Sequence, residues 1–205
     1  MAKTPRKKAA YHHGDLRQAL IEAGTKVLRK EGLHALSLRR VAREAHVSPA
    51  APYRHFSDKQ ALLAAISESG FRQLYGLLDA ARQKSRGDLD AAGQAYLTFA
   101  LRNPETYRLM FTQNVMCEGE PDESLRQAGE QAFNSLVQTI EEGIAGGKIS
   151  SADSTPLALS AWALVHGVAM LLIDGALSKA PYDKVPPEQI LAMCQAFFRE
   201  GWRAR

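Results

Sequence analysis

The sequence has 205 residues, of which 45% are apolar and 23% are charged, a composition typical of a soluble globular protein with a sizeable core. Its two cysteines, Cys117 and Cys194, lie far apart without metal-binding or disulfide spacing, and the basic N-terminus lacks the apolar segment of a secretion signal. These features favour a cytoplasmic protein and give no support to a disulfide-stapled or secreted one.

The formal net charge of +4 conceals an uneven distribution along the chain. Residues 1–60 hold 13 Lys and Arg against 5 Asp and Glu, whereas residues 61–205 hold 13 against 17. A basic front indicates a polyanionic partner at one end, most simply nucleic acid, although an acidic substrate or a membrane surface would also attract it.

The first elements are an arm and a helix. Residues 1–10 are polar and basic, which predicts a disordered arm that either follows DNA phosphates or serves as a solubilising tail. A long helix is predicted from about Gly14 to Lys30, and Gly32 ends it. Its apolar stripe comprises Leu16, Leu20, Ala23, Val27 and Leu28.

The segment from Leu38 to Lys59 has the pattern of a helix-turn-helix. A first short helix has one apolar stripe, and Ser48 with Pro49 predicts the start of a second helix, which such motifs place in the DNA major groove. This motif favours nucleic acid over the other polyanionic partners. Arg39, Arg40 and Arg43 lie opposite the apolar stripe, where they are either phosphate contacts or a solvated face. The stripe comprises Leu38, Val41, Ala42 and Ala45.

The remainder of the chain predicts further helices and no strands. Ser57 with Gln60 reads as a capping box that opens a helix reaching about Lys84. The predicted fold is all-α with about nine helices: a three-helix DNA-binding domain at residues 11–60 and a larger helical domain at residues 61–205, to which a family resemblance assigns effector binding and dimerisation. The later helices are predicted at about 89–102, 103–112, 123–145, 155–177 and 187–203.

The helix at 155–177 contains the apolar run LALSAWALVHGVAMLLI, 17 residues long. A membrane span needs about 20 apolar residues and would make a central His166 costly, so we predict a buried helix and no membrane partner. The last two helices carry more apolar surface than one subunit hides, which predicts a homodimer interface. Its candidate residues are Trp162, Val165, Leu172, Leu191, Cys194, Phe198 and Trp202.

Two stretches resemble a known family. VAREAHVSPAAPYRHFSDKQALL is similar to the N-terminal domain of TetR/AcrR-family transcriptional regulators, and RNPETYRLMF with Trp162, His166 and Gly167 resembles their Trp-His-Gly C-terminal domain type. The resemblance implies a repressor that binds a palindromic double-stranded DNA operator as a homodimer and is released by an unknown small molecule. The alternative is a DNA-binding regulator or architectural protein without an effector.

The resemblance also assigns roles by position. Tyr53, His55 and Lys59 match phosphate-binding residues of the family, and Arg54 is left between base reading and backbone contact. The recognition helix is matched by Ser48, Pro49, Ala50 and Ala51. Two residues depart from the pattern: His46 replaces a turn glycine, which predicts a left-handed backbone, and Pro52 is expected to tighten or tilt the recognition helix.

Aromatic and sulfur side chains of the C-terminal domain suggest an effector pocket, although most such residues in a helical bundle are ordinary core. The candidates are Phe71, Tyr96, Phe99, Tyr107, Phe111, Phe133, His166 and Met170. No nucleophile elbow, Gly-rich phosphate loop or HExxH motif is present, so no enzymatic activity and no cofactor is expected. His12 and His13 have no partners at ligand spacing, so no metal is expected.

Overall fold

The computed structural model describes residues 13–112, 122–150, 153–179 and 181–200, and every regular element in these ranges is helical. The predicted arm at residues 1–10 and the predicted interface residue Trp202 lie outside them. The all-α fold class is confirmed. The eight α-helices are α1 (His13–Glu31), α2 (Leu38–Glu44), α3 (Lys59–Lys84), α4 (Leu89–Arg102), α5 (Pro104–Met110), α6 (Glu123–Ala145), α7 (Ser154–Ile173) and α8 (Pro187–Glu200).

The chain divides between Ile66 and Ser67 into two compact units. The first unit holds α1, α2 and the start of α3 around a small apolar core. Gly32 ends α1 with a φ of 81°, as predicted, because only a residue without Cβ adopts this backbone at no steric cost. The core of this unit comprises Leu20, Val27, Leu36, Val41, Phe56 and Leu62, which are almost completely buried.

Helix α2 is capped at both ends. The Ser37 hydroxyl accepts a hydrogen bond from the Arg40 amide at 3.2 Å, which satisfies one of the free N–H groups of the first turn. At the other end, the His46 amide donates to Arg43 O and the Val47 amide donates to Ala42 O. These two bonds define a Schellman cap, and His46 occupies its left-handed position with a φ of 56°, as predicted.

The predicted second helix of the motif is not α-helical, so the described residues hold eight α-helices, whereas about nine are predicted for the chain. Ser48–Ala51 form turns, followed by a short 3-10 helix, Pro52–Arg54. In an α-helix the amide of residue 52 would donate to Ser48 O, but proline has no N–H. The Ala51 amide donates to Ser48 O at 3.0 Å instead, one residue earlier, so the segment winds more tightly.

The predicted capping box at Ser57 is also wrong. Helix α3 begins at Lys59, and the Asp58 carboxylate accepts a hydrogen bond from the Ala61 amide at 2.8 Å. That bond, together with one from the Ser57 hydroxyl, holds the pKa of Asp58 below its ordinary value. The carboxylate is the stronger acceptor for a helix N-terminus, because its charge also interacts favourably with the helix dipole.

The second unit contains the rest of α3 and helices α4 to α8. Helix α4 packs against α6, α7 and α8, and its ends agree with the prediction. Helices α6 and α7 end in Schellman caps in which Gly147 and Gly175 have φ values of 69° and 71°. The central core comprises Leu97, Phe99, Tyr107, Leu109, Met110, Leu125, Ile140 and Leu191.

Helix α7 is long and apolar enough to cross a membrane by length and composition alone, a test that the core helix of a soluble protein also passes. The sequence suggested that α7 is buried on every side, but one of its sides is exposed. Ala158, Val165 and Ala169 face the core, whereas Leu159 and Leu171 are exposed. This exposed side needs a separate explanation.

Candidate functional site

The first unit presents polar and aromatic side chains around the turn and 3-10 helix that follow α2. Tyr53 is 54% exposed, and Arg54 is exposed beside it. Ser48, Pro49 and Ala50 are exposed, whereas Ala51 and His55 are partly covered and Pro52 is buried. Pro52 therefore anchors the segment, and the exposed residues form what we call the candidate DNA-binding surface: Ser48, Pro49, Ala50, Tyr53 and Arg54.

Arg40, predicted as a phosphate contact, lies in an ion-pair cluster instead. Its guanidinium donates to Glu31 at 2.5 Å and to Glu44 at 3.0 Å. Hydrogen bonds from Lys26 and Arg40 lower the pKa of Glu44 to about 2. Arg40 thus joins the end of α1 to α2, because both of its carboxylate partners hold the guanidinium against the protein.

Arg39 and Arg43 remain as cationic neighbours of the surface. Both side chains are exposed, and neither makes an ion pair in the part of the chain that the structure describes. Exposed guanidinium groups are suited to phosphate oxygens because they offer paired N–H donors. Arg39 and Arg43 are therefore better placed for a phosphate than Arg40, whose guanidinium is held by Glu31 and Glu44.

Lys59 lies at the first position of α3, where its ammonium group donates to Leu33 O at 3.2 Å. An ammonium group has three donors, so this bond positions the side chain and leaves two donors for another acceptor. The helix N-terminus beneath it adds a positive electrostatic potential. This end of α3 can hold an anion.

The second unit encloses a cavity of about 390 Å³, lined by α3, α4, α6, α7 and α8 and by the residue after α5. Four predicted pocket residues line it: Phe71, Tyr96, Phe111 and Phe133. The other four do not. Phe99 and Tyr107 are buried core residues, His166 lies behind Tyr107 and Phe111, and Met170 lies outside the lining.

Tyr96 connects the cavity wall to a chain of hydrogen bonds behind it. Trp162 Nε1 donates to the Tyr96 hydroxyl at 3.1 Å, which lies 3.0 Å from the Tyr107 hydroxyl. Tyr107 Oη is in turn 2.7 Å from His166 Nδ1. If each hydroxyl donates to the next group, the chain ends on an unprotonated Nδ1, and both hydroxyl hydrogens and the indole hydrogen have acceptors.

Burial keeps this chain uncharged. It raises the pKa of Tyr96 to about 12 and also raises the pKa of Tyr107. It lowers the pKa of His166, because the charged imidazolium loses its hydration there. The chain therefore holds the Trp-His pair of α7 and the tyrosines of α4 and α5 in one neutral arrangement.

Gln195, which sequence reasoning missed, lines the cavity from α8. It is only 6% exposed, and its side-chain amide makes no hydrogen bond in the described part of the chain. A methyl group at Gly93 would overlap the Gln195 amide nitrogen, so glycine leaves room for it. The signal in the sequence is the helical spacing of Gln195 with Leu191 and Phe198, which places a polar residue on an apolar face.

Charged residues surround the cavity in pairs. Arg126 pairs with Glu123 and Glu130, and Arg199 pairs with Asp90. Among these residues, Asp90, Arg126, Glu130 and Arg199 belong to the lining. Each lining cation therefore has a carboxylate partner. In the described residues, no group of three or more His, Cys, Asp and Glu residues could hold a metal ion.

Helices α7 and α8 each expose apolar side chains. Leu159, Ala163 and Leu171 share one side of α7, and Met193 and Phe197 share one side of α8. We call these five residues the exposed apolar face of α7 and α8. Phe197 is 72% exposed, the highest value among the large apolar residues that the structure describes.

The residues predicted for an interface lie elsewhere. Leu191 and Val165 are buried inside the subunit, and Trp162 and Phe198 line the cavity. Leu172 and Cys194 are partly covered. Within this set, Leu191 and Val165 have almost no surface left for a second subunit, whereas the partly covered residues keep some.

Comparison with known proteins identifies similar sequences and structures. The model described as "Bacterial regulatory proteins, tetR family" matches residues 20–66, and that described as "Tetracyclin repressor-like, C-terminal domain" matches residues 89–195. A protein of unknown function from Rhodococcus sp. RHA1 is 36% identical, with a TM-score of 0.80 over 96% of this chain and 100% of that chain.

Two more distant structures show likeness of fold alone. The TetR family transcriptional regulator PfmR from Thermus thermophilus is 18% identical, with a TM-score of 0.65 over 90% of this chain and 99% of its own. The fatty acid degradation regulator FadR from Bacillus halodurans is 13% identical, with a TM-score of 0.69 over 98% of this chain and 100% of its own.

Proposed function

Because this chain belongs to the TetR family of DNA-binding transcriptional regulators, we propose that it is a cytoplasmic repressor released from its operator by a small molecule. The observation that carries the DNA-binding part is the exposed Tyr53 and Arg54, which follow a turn of small exposed residues. Family members are regulators, and their function does not require a catalytic site.

Contact with DNA is divided between two kinds of group. The small side chains of Ser48, Pro49 and Ala50 allow close approach to base edges, and an alanine methyl can contact a thymine methyl. Tyr53 and Arg54, with Lys59 nearby in sequence, donate to phosphates and position the turn in the major groove. Residues 11–60 form the DNA-binding domain in this proposal, and residues 1–10 supply an additional basic arm.

Pairing of two subunits is supported by the exposed apolar face on α7 and α8. Soluble monomers seldom expose a contiguous apolar patch of this kind, and two such faces related by a two-fold axis would form a four-helix interface. A two-fold dimer reads a palindromic operator with half-sites about 34–36 Å apart, or a multiple of that spacing. Residues 61–205 therefore carry dimerisation as well as ligand binding.

Release by a ligand is supported by the cavity and by the length of α3. This helix begins at Lys59 in the first unit and lines the cavity with Phe71, Leu74 and Leu78 in the second. A ligand that prefers one position of these side chains shifts the population of α3 positions, provided its affinity differs between the two states. The alternative function, a regulator or architectural protein without an effector, leaves this cavity unused.

Fluorescence anisotropy with duplexes from the DNA upstream of the coding sequence tests the DNA-binding part. We expect tight, salt-dependent binding to one palindrome, weakened about tenfold or more by Tyr53→Ala because a hydrogen bond to a charged phosphate is lost. Tyr182→Ala is the matched control, since Tyr182 is 43% exposed but lies in the second unit. Equal affinity for every duplex would favour the architectural alternative.

A further inference from the structure

We infer that the cavity binds a neutral, largely apolar molecule that carries one hydrogen-bonding group, such as a carboxamide, ketone or alcohol, and that Gln195 binds this group. The inference rests on the proposed ligand-responsive function and specifies its ligand class. It follows from three features of the cavity: its apolar walls, its unpartnered amide and its paired charges.

Apolar side chains make up most of the cavity wall. Leu74, Leu78, Phe133 and Leu164 contribute to it from three different helices. A volume of about 390 Å³ is within the range of small-molecule sites, roughly 300–1,000 Å³, in which apolar walls supply affinity and a few polar groups fix orientation. The walls therefore select an apolar skeleton.

Gln195 supplies the polar group. An amide side chain has two N–H donors and a carbonyl acceptor, and burying it without partners is costly. Its place is nevertheless specific, because Gly93 leaves room for the amide where any other residue would displace it. A ligand group that donates or accepts one hydrogen bond satisfies this amide.

The other buried polar groups of the wall are already occupied. Tyr96 accepts from Trp162 and is bonded to Tyr107, and the chain continues to His166. The hydroxyl hydrogen of Tyr96 is used within this chain of hydrogen bonds, so Tyr96 contributes only its ring to the cavity wall. Within the described part of the chain, Gln195 is thus a buried lining residue whose side-chain amide forms no hydrogen bond to another residue and faces the cavity.

The charged residues of the lining are paired with one another, which makes the cavity better suited to a neutral ligand than to an ionic one. Arg126 and Arg199 each form ion pairs with carboxylates, so neither is available as a counter-ion without breaking a pair. A carboxylate or ammonium group drawn into the apolar interior would lose its hydration without compensation. A neutral ligand avoids this cost.

Isothermal titration calorimetry with matched probes tests the ligand class. One series is decanamide, decanoate and decylammonium, and a second, planar series is naphthamide, naphthoate and naphthylmethylammonium. We expect the amide of at least one series to bind at least about tenfold more tightly than both of its ions. Equal or tighter binding of an ion, or no binding by either amide at millimolar concentration, overturns the inference.

Gln195→Met tests the hydrogen bond, since methionine has a similar length and no amide. We expect amide affinity to fall about three- to tenfold, as for the loss of one hydrogen bond between neutral groups. Without ligand, the variant should melt about 2–4 °C higher, because an unpartnered buried amide has been removed. A lower melting temperature or unchanged amide affinity would show that the Gln195 amide is satisfied by the protein or by water, which contradicts the inference.

Gly93→Ala gives a second, independent variant. Its methyl group would displace the Gln195 amide, so amide affinity should fall as in Gln195→Met. Gly76→Ala is the control, because an added methyl group there meets nothing within 4 Å and Gly76 does not line the cavity. Equal effects of the two substitutions on amide binding would contradict the role of Gln195.

Operator binding by the wild-type protein distinguishes a failure of the ligand class from a failure of the proposed DNA-binding function. If the protein binds one palindrome tightly but the amides fail, the ligand class is wrong and the DNA-binding function stands. If the amides bind but no duplex is preferred, the proposed function is wrong and the cavity retains its assigned chemistry.

Discussion

Replacing His46 by glycine should stabilise the protein. His46 has a φ of 56° at the left-handed position of the cap that ends α2, and its side chain is exposed. The substitution removes a Cβ that crowds the following backbone and loses no packing. Gly147 and Gly175 hold the corresponding positions in the caps of α6 and α7, so the chain itself provides the reference.

The magnitude follows from two opposing terms. A left-handed backbone costs an L-residue roughly 1–2 kcal/mol, whereas glycine loses more chain entropy on folding, by roughly 0.5–1 kcal/mol. The expected gain for His46→Gly is therefore about 0.5–1 kcal/mol. For a chain of this size, that corresponds to a rise in melting temperature of about 1–4 °C.

Two further variants test whether the left-handed backbone at His46 is the cause of the expected gain in stability. His46→Ala removes the imidazole but keeps the Cβ, so it should melt below His46→Gly. Gly147→Ala adds a Cβ at a φ of 69° where nothing lies within 4 Å, so it should lose about 1 kcal/mol by strain alone. Differential scanning calorimetry measures all three. Identical melting of His46→Gly and His46→Ala would refute the strain argument.

Four further outcomes are expected. Arg40→Ala should lower the melting temperature more at low than at high salt, because an ion-pair cluster is lost. Arg39→Ala should mainly reduce the salt dependence of operator binding in anisotropy titrations, lowering the slope of log affinity against log salt concentration by about one. Burial lowers the pKa of His166 below its ordinary 6.5, so the unfolded chain binds more protons as the pH falls through 6.5. Stability should decrease there, and His166→Gln should flatten the profile of melting temperature against pH. Phe197→Glu should convert a dimer into monomers in sedimentation velocity, and a persistent dimer would exclude the exposed face of α7 and α8.

Local sequence signals predicted local backbone accurately where one residue controls the outcome. Gly32 ends α1 and His46 takes a left-handed backbone, as expected from the helix pattern and the family resemblance. Pro52 shows the limit of such signals. It was expected to tighten or tilt the recognition helix, and the segment does wind more tightly, but the missing N–H also leaves no α-helix from Ser48 to Ala51.

The candidate site was predicted in part. Phe71, Tyr96 and Phe133 line the cavity as expected. Gln195 was overlooked: its spacing places it on the apolar face of α8, but the sequence does not show that this face borders a cavity. Arg40 was assigned to phosphate because it lies opposite the apolar stripe beside the recognition helix, but Glu31 at the end of α1 and Glu44 hold it in ion pairs.

The sequence alone determined the order of helices, the helix-turn-helix and the family. It could do so because hydrophobic periodicity, helix caps and motif spacing depend on residues that are close together in the sequence. The tertiary structure decided which side of α7 and α8 faces the core. An apolar helix such as α7 has no polar face to indicate its outward side, so only the packing of α4 and α6 against it separates Val165 from Leu171. The same packing encloses the cavity and leaves Gln195 buried beside Gly93.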